Sequence, residues 1–134
     1  MKRPSRGCLR TLGVLLGIVL LILVLDKVIP SKAIRDLPDD ATEVEEYYKD
    51  FGFTGDFTRV LKARIPEHQV AEYARKVGAT EKVEEGKASD YPSWTRSVSW
   101  FSPKAPPRYF HHEQSYRILI GWEDGFVYLD AVAW

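Results

Sequence analysis

The stretch YRILIGWEDGFVYLDAVAW, residues 116–134, decides the fold. Tyr116, Ile118, Ile120 and Trp122 alternate with Arg117, Leu119 and Gly121, the period of two that sends successive side chains to opposite faces of a strand. Asp124-Gly125 is a favoured two-residue hairpin loop, and Phe126-Val127-Tyr128-Leu129 resumes a β-rich run that continues to Trp134. The chain therefore closes on an antiparallel hairpin.

Upstream of the hairpin, Tyr91 to Ser115 is the least regular part of the chain. Trp94, Trp100, Phe101, Tyr109 and Phe110 are scattered there among Pro92, Pro103, Pro106 and Pro107, which reads as a long loop pinned by its aromatic residues. Ala79 to Asp90 is charged and contains glycine, the composition of a surface link. Before it, Pro66 opens a helix at the position where its missing N–H costs nothing. Val70, Tyr73, Ala74 and Val77 follow at i, i+3, i+4 and i+7, and Gly78 is placed to end the helix.

Asp56 to Ile65 reads as a half-buried strand: Phe57, Leu61, Ala63 and Ile65 face one way, Thr58, Lys62 and Arg64 the other. Arg59 on the apolar side and Val60 on the polar side break the pattern. Ala41 to Lys49 reads as an outer strand, although Glu43, Glu45 and Glu46 would equally suit a short helix; the turn residues Asp50, Gly52 and Gly55 join it to the next strand. The order strand, strand, helix, long loop, strand, strand predicts an α+β fold, with a small antiparallel sheet of about four strands packed against one helix. This domain is expected to span 41–134, preceded by an acidic linker over 30–40 that contains Asp36-Leu37-Pro38-Asp39-Asp40.

The N-terminal region has a different character. Thr11 to Leu25 holds no charged side chain, and as a helix would be about 22 Å long, short of the roughly 30 Å apolar layer of a bilayer. Drawing in Leu9, Arg10, Lys27, Val28 and Ile29 lengthens it to about 31 Å, with the cations reaching toward headgroups. A single transmembrane anchor over 11–29 follows as an expectation. Leu12, Val14, Leu15, Leu16, Ile18, Val19, Leu20, Leu21, Ile22, Leu23, Val24 and Leu25 would form its lipid-facing surface. Lys2, Arg3, Arg6 and Arg10 in residues 1–10 would hold that tail in the cytoplasm and leave the domain extracytoplasmic. The alternative is secretion after cleavage near Ala33, where Ser31-Lys32-Ala33 has small residues at the required spacing.

Charge and cysteine content exclude several functions. From Asp36 onward there are twelve Lys and Arg against eighteen Asp and Glu, a net charge of −6, which argues against a nucleic-acid partner. Cys8 is the single cysteine, so the domain has neither an internal disulfide nor a cysteine nucleophile; a palmitoylated Cys8 is the alternative to an unmodified thiol.

No motif implies a cofactor. His111-His112-Glu113, with His68, is the nearest approach to a metal or hydrolytic site, but adjacent histidines on an extended backbone point to opposite sides. No Gly-x-Ser-x-Gly elbow accompanies Ser93, Ser97 or Ser99, and Pro103-x-x-Pro106-x-Arg108 matches a polyproline ligand only formally.

The aromatic loop is the most informative feature. Trp94, Trp100, Phe101, Tyr109 and Phe110 are the candidate contact residues for a protein partner or envelope component, while Trp122 and Trp134 on strands read as core. The function expected from the sequence is a membrane-tethered, non-enzymatic binding module. Two alternatives are a small metal-dependent or hydrolytic enzyme using His111, His112 and Glu113, and an accessory subunit of a membrane complex.

Overall fold

The computed structural model describes residues 6–28, 30–52, 54–83 and 90–134, and their side chains except those of 6–10, 12 and 25–28. The chain divides into two compact units, Met1–Ser31 and Lys32–Trp134.

The first unit contains helix α1 (Arg6–Val28). Among the described residues no helix is long and apolar enough to cross a membrane. This overturns the expected single-pass anchor, and the cytoplasmic and extracytoplasmic assignments built on it. The physical reason is length. The uncharged run from Thr11 to Leu25 makes about 22 Å of helix against roughly 30 Å of hydrocarbon. Of the proposed anchor residues, the side chains of Leu12 and Leu25 lie outside the described residues. So do those of Cys8, Leu9, Arg10, Lys27 and Val28, and Ile29 as a whole.

The second unit begins with a short helix, α2 (Lys32–Arg35), and continues through strands β1 (Thr42–Asp50) and β2 (Phe57–Arg64) to a 3-10 turn, Glu67–Gln69, and helix α3 (Val70–Val77). Strand β3 (Glu81–Lys82), a second 3-10 turn (Ser93–Ser97) and strands β4 (Tyr109–Glu113), β5 (Tyr116–Glu123) and β6 (Phe126–Ala133) complete it. Among the described residues the strands form one antiparallel sheet in the order β1-β2-β6-β5-β4-β3.

The expected sheet of about four strands is therefore corrected to six, and the expected single covering helix to two. Both missed strands lie in segments read as link and loop. β3 is two residues long, too short for any period to register. β4 (YFHHE) follows Pro106-Pro107 and lacks an apolar/polar alternation, because both of its faces are partly covered.

Why the legible elements form is clear from their residues. Asp124 and Gly125 have φ of 52° and 88°, the pair of left-handed conformations a type I′ hairpin requires. Gly78, at φ 101°, caps α3 and donates its N–H to the carbonyls of Ala74 and Arg75. Residues directly opposite each other in an antiparallel pair share a face, so the register fixes the two surfaces of the sheet.

On one face, Leu61, Ala63, Ile118, Ile120, Val127 and Leu129 pack with Val70, Tyr73 and Ala74 of α3. Ala33 and Leu37, from the segment expected to be a linker, are buried in the same cluster. Tyr73 is fully buried and donates its hydroxyl hydrogen to the Ala33 carbonyl at 3.0 Å; burial pushes its phenol pKa far up. Lys32 Nζ donates to the Lys76 carbonyl, tying α2 to the end of α3.

The other face is also covered, which explains why β2 departs from simple alternation. Val60, on the side expected to be polar, is fully buried with Val98, Phe101 and Tyr128 beneath the 91–101 segment. Arg59, on the apolar side, pairs with Glu46 at 3.1 Å and lies 4.7 Å over the Tyr48 ring.

Candidate binding site

The aromatic segment is a lid on the sheet before it is anything else. Phe101 is 1 % exposed and is the hub of the loop-side core. Its ring meets Tyr91 at 5.4 Å, Tyr128 at 5.5 Å and Trp100 at 6.2 Å, all near edge-to-face, the arrangement ring quadrupoles favour. Burying a side chain of this size contributes about 1.5–3 kcal/mol. Trp94 and Trp100 are half-buried against the same cluster.

Tyr109 packs against the helix-side cluster, whereas Phe110, the next residue of β4, points to the opposite face. The five aromatic residues singled out in the sequence are thus not one surface. Three serve the loop-side core, and the other two are split between the faces of an inner strand.

A glycine makes this lid possible. A Cβ on Gly121 would collide with the Tyr91 hydroxyl, so the absent side chain in the middle of β5 leaves the slot that Tyr91 fills. From that slot Tyr91 Oη reaches toward the Tyr128 carbonyl at 3.5 Å. Burial, and next the charge of Asp130, push the Tyr91 phenol pKa far above its usual value.

The far end of the segment is held by a carboxylate. Glu123 Oε2, at the end of β5, accepts the backbone N–H groups of Lys104 at 2.6 Å and Ala105 at 3.1 Å. A charged acceptor makes these stronger than ordinary backbone hydrogen bonds. Thr95, itself buried, donates its hydroxyl to the Pro92 carbonyl at 2.8 Å and fixes the 3-10 turn.

Between these anchor points the segment folds around a cleft of about 450 Å³. Tyr91 and Phe101 back its wall, Thr95 and Ser102 line it, and Arg96 and Lys104 bring exposed cations, with Asp90 as the one acid among its described residues. This size is within the range of small-ligand sites, a few hundred to about 1,000 Å³. A second cavity, between Lys32, Ala33, Val77 and the helix face of the sheet, has about 90 Å³ and suits only a few waters.

Asp130 is the buried titratable group near this region. It sits on β6, fully buried, opposite Val60 and Leu119 on the flanking strands. Its Oδ2 accepts from Arg117 Nη2 at 3.1 Å, and its Oδ1 has no partner among the described residues. Burial outweighs the Arg117 charge and pushes the Asp130 carboxyl up to about 6.

The histidine cluster is dispersed. His111 Nε2 is 3.1 Å from Glu113 and its Nδ1 3.8 Å from Glu81, while His112 lies on the opposite face with its ring 6.0 Å from Trp134. His68 is exposed on the first 3-10 turn. Among the described residues no three His, Cys, Asp or Glu side chains are grouped to hold a metal ion.

Trp122 is half-buried and donates its indole N–H to the Ile65 carbonyl at 3.0 Å. Trp134, expected to be core, is 53 % exposed. Tyr91, Gly121, Glu123 and Asp130 carry the architecture of this region and were not singled out from the sequence. The sequence carried a signal for two of them, Gly121 as a glycine inside a strand and Asp130 as an acid inside the apolar run 126–133.

Comparison with known proteins gives no match to a family model, to a curated protein or to a solved structure.

Proposed function

We propose that the Lys32–Trp134 unit is a binding module whose ligand seat is the cleft within residues 90–106. The observation that carries this reading is the cleft's construction. Its walls are fixed at both ends, by the Tyr91–Phe101 pair docked on the sheet and by the Glu123 clamp on residues 104 and 105. A loop held in this way loses little entropy when it takes up a ligand.

The occupant favoured by the wall chemistry is a polar group carrying negative charge, either a small molecule or an acidic segment of a protein. Arg96 and Lys104 bring two cations to one cleft in a unit whose overall balance is acidic. The aromatic rings act as support here: Phe101 has no face left to offer, and Trp94 and Trp100 are already half committed to the core.

Amide shifts of the full chain, followed during titration with a short glutamate-rich peptide and separately with a neutral oligosaccharide, test this. The peptide should move amides within 90–106 and spare the rest of the sheet, and an Arg96→Ala/Lys104→Ala variant should lose most of that response. Shifts elsewhere, or none with either probe, would sink the reading.

A further inference from the structure

Independently of the cleft, we infer that two copies of this chain pair through strand β1, edge to edge and antiparallel, with Tyr47 facing Tyr47 of the second copy. The two edges of the sheet are unequal. On one side β3 offers two residues; on the other, β1 runs for nine, eight of them exposed. A long free edge is a template for another strand, and most sheets blunt it.

The exposed large hydrophobic residues point to the same place. Outside α1, those among the described residues are Val44, Tyr47, Tyr48, Phe51 and Trp134, and the first four belong to β1 and the residue after it. Backbone parity sets which groups face outward. Phe51 donates its N–H to the Asp56 carbonyl, so from Glu45 onward, beyond the register shift between Thr42 and Glu45, odd-numbered residues bond to β2, and Glu46, Tyr48 and Asp50 present their N–H and C=O groups to the open side.

Charge then selects the register. Three of the acids on this edge are already engaged: Glu43 with Arg64, Glu46 with Arg59, and Asp50 as acceptor for the Gly52 N–H. Glu45 has no ion pair among the described residues, and Lys49 lies over the Phe51 ring. A two-fold axis through Tyr47 sets Glu45 of each copy opposite Lys49 of the other, on the same face as the facing tyrosines. It also sets Glu46 opposite Tyr48. Moving the axis one residue toward the N-terminus opposes Glu46 to Glu46, and one residue toward the C-terminus opposes Glu46 to Asp50. The Tyr47-centred register alone among these opposes no like charges, and opposite charges facing each other across a strand pair are favourable. The result is one sheet continuing through both copies.

Sedimentation of the full chain over a range of concentrations should show a monomer–dimer equilibrium. Lys49→Glu, which opposes acid to acid twice, should weaken the dimer by about tenfold or more. Glu45→Lys/Lys49→Glu should restore it, since the pair is merely inverted. Tyr47 falls at a closely spaced, non-hydrogen-bonded pair, within disulfide reach. In a Cys8→Ser background, Tyr47→Cys should therefore crosslink under mild oxidation and Tyr48→Cys should not. A monomer at all concentrations, self-association insensitive to Lys49→Glu, or equal crosslinking at 47 and 48 would each overturn the inference. All four positions are exposed edge sites, and a circular dichroism spectrum matching wild type confirms that each variant is folded.

Discussion

The two faces of the sheet are both buried, but by different means. The helix face is closed by α2 and by α3, whose side chains recur with helical period and meet a regular row from β2, β6 and β5. The loop face is closed by a segment with one 3-10 turn and four prolines, in which Tyr91, Trp94, Val98, Trp100 and Phe101 descend on the sheet without any period. A face covered by regular structure leaves its pattern on both partners. One covered by a loop leaves its mark only on the strand, as an apolar residue where a polar one is expected.

Three substitutions bear on this difference. Phe101→Ala has the largest expected effect, a loss of about 3–5 kcal/mol, comparable with the roughly 2–5 kcal/mol for Leu61→Ala on the helix face. Urea unfolding of both variants would measure it. A loss below about 1 kcal/mol for Phe101→Ala would mean that the loop is a surface feature and the comparison of two cores is unsound.

Gly121→Ala comes next, at about 1–3 kcal/mol, because its new methyl group meets the Tyr91 hydroxyl. Removing that oxygen should relieve the clash, so Gly121→Ala/Tyr91→Phe is expected to be more stable than Gly121→Ala alone. If the second change gives no recovery in the same unfolding measurement, Tyr91 does not occupy the slot.

The smallest expected effect is a change in the pH profile from Asp130→Asn. With its carboxyl raised to about 6 from a usual value of 3.8, Asp130 binds a proton more readily in the folded chain than in the unfolded one. Its contribution is therefore most favourable below the unfolded value and is lost as pH rises through about 6. The asparagine variant should show a flatter stability profile between about pH 4 and pH 6. A profile unchanged from wild type would mean that the carboxylate is better compensated than its single Arg117 contact indicates.

Much of the fold was legible because particular residues recur with a simple period. The alternation in 116–122, the Asp124-Gly125 turn and the spacing of Val70, Tyr73, Ala74 and Val77 locate β5, β6 and α3. Val60 and Arg59 appeared as breaks in β2 because the reading assumed one dry face. Val60 is in place once both faces are dry, and Arg59 once Glu46 and Tyr48 are seen beside it. β3 and β4 were hidden by brevity and by the prolines before Tyr109. The apolar N-terminal run reaches the length of a span only when extended through its charged flanks. Among the described residues no helix is apolar over the required length.

Of the candidate site, the segment was legible and its role was not. Composition cannot tell whether an aromatic ring faces inward or outward; that depends on Gly121 leaving room for Tyr91 and on Glu123 holding residues 104 and 105.

The position of β6 bears on how the chain assembles. It is the last of the described strands in chain order, yet it lies inside the sheet, pairing Ala133 with Phe57 of β2 on one side and with Tyr116 of β5 on the other. The β1–β2 hairpin therefore has to wait for the most distant strand before its inner edge is closed. Contacts that far apart in sequence are formed late and slowly, since loop-closure entropy is lost before the pairing is gained. Until β6 arrives, β2 stands as a second open edge with its apolar face bare, which makes that interval the point at which a chaperone or a stray strand would meet this protein.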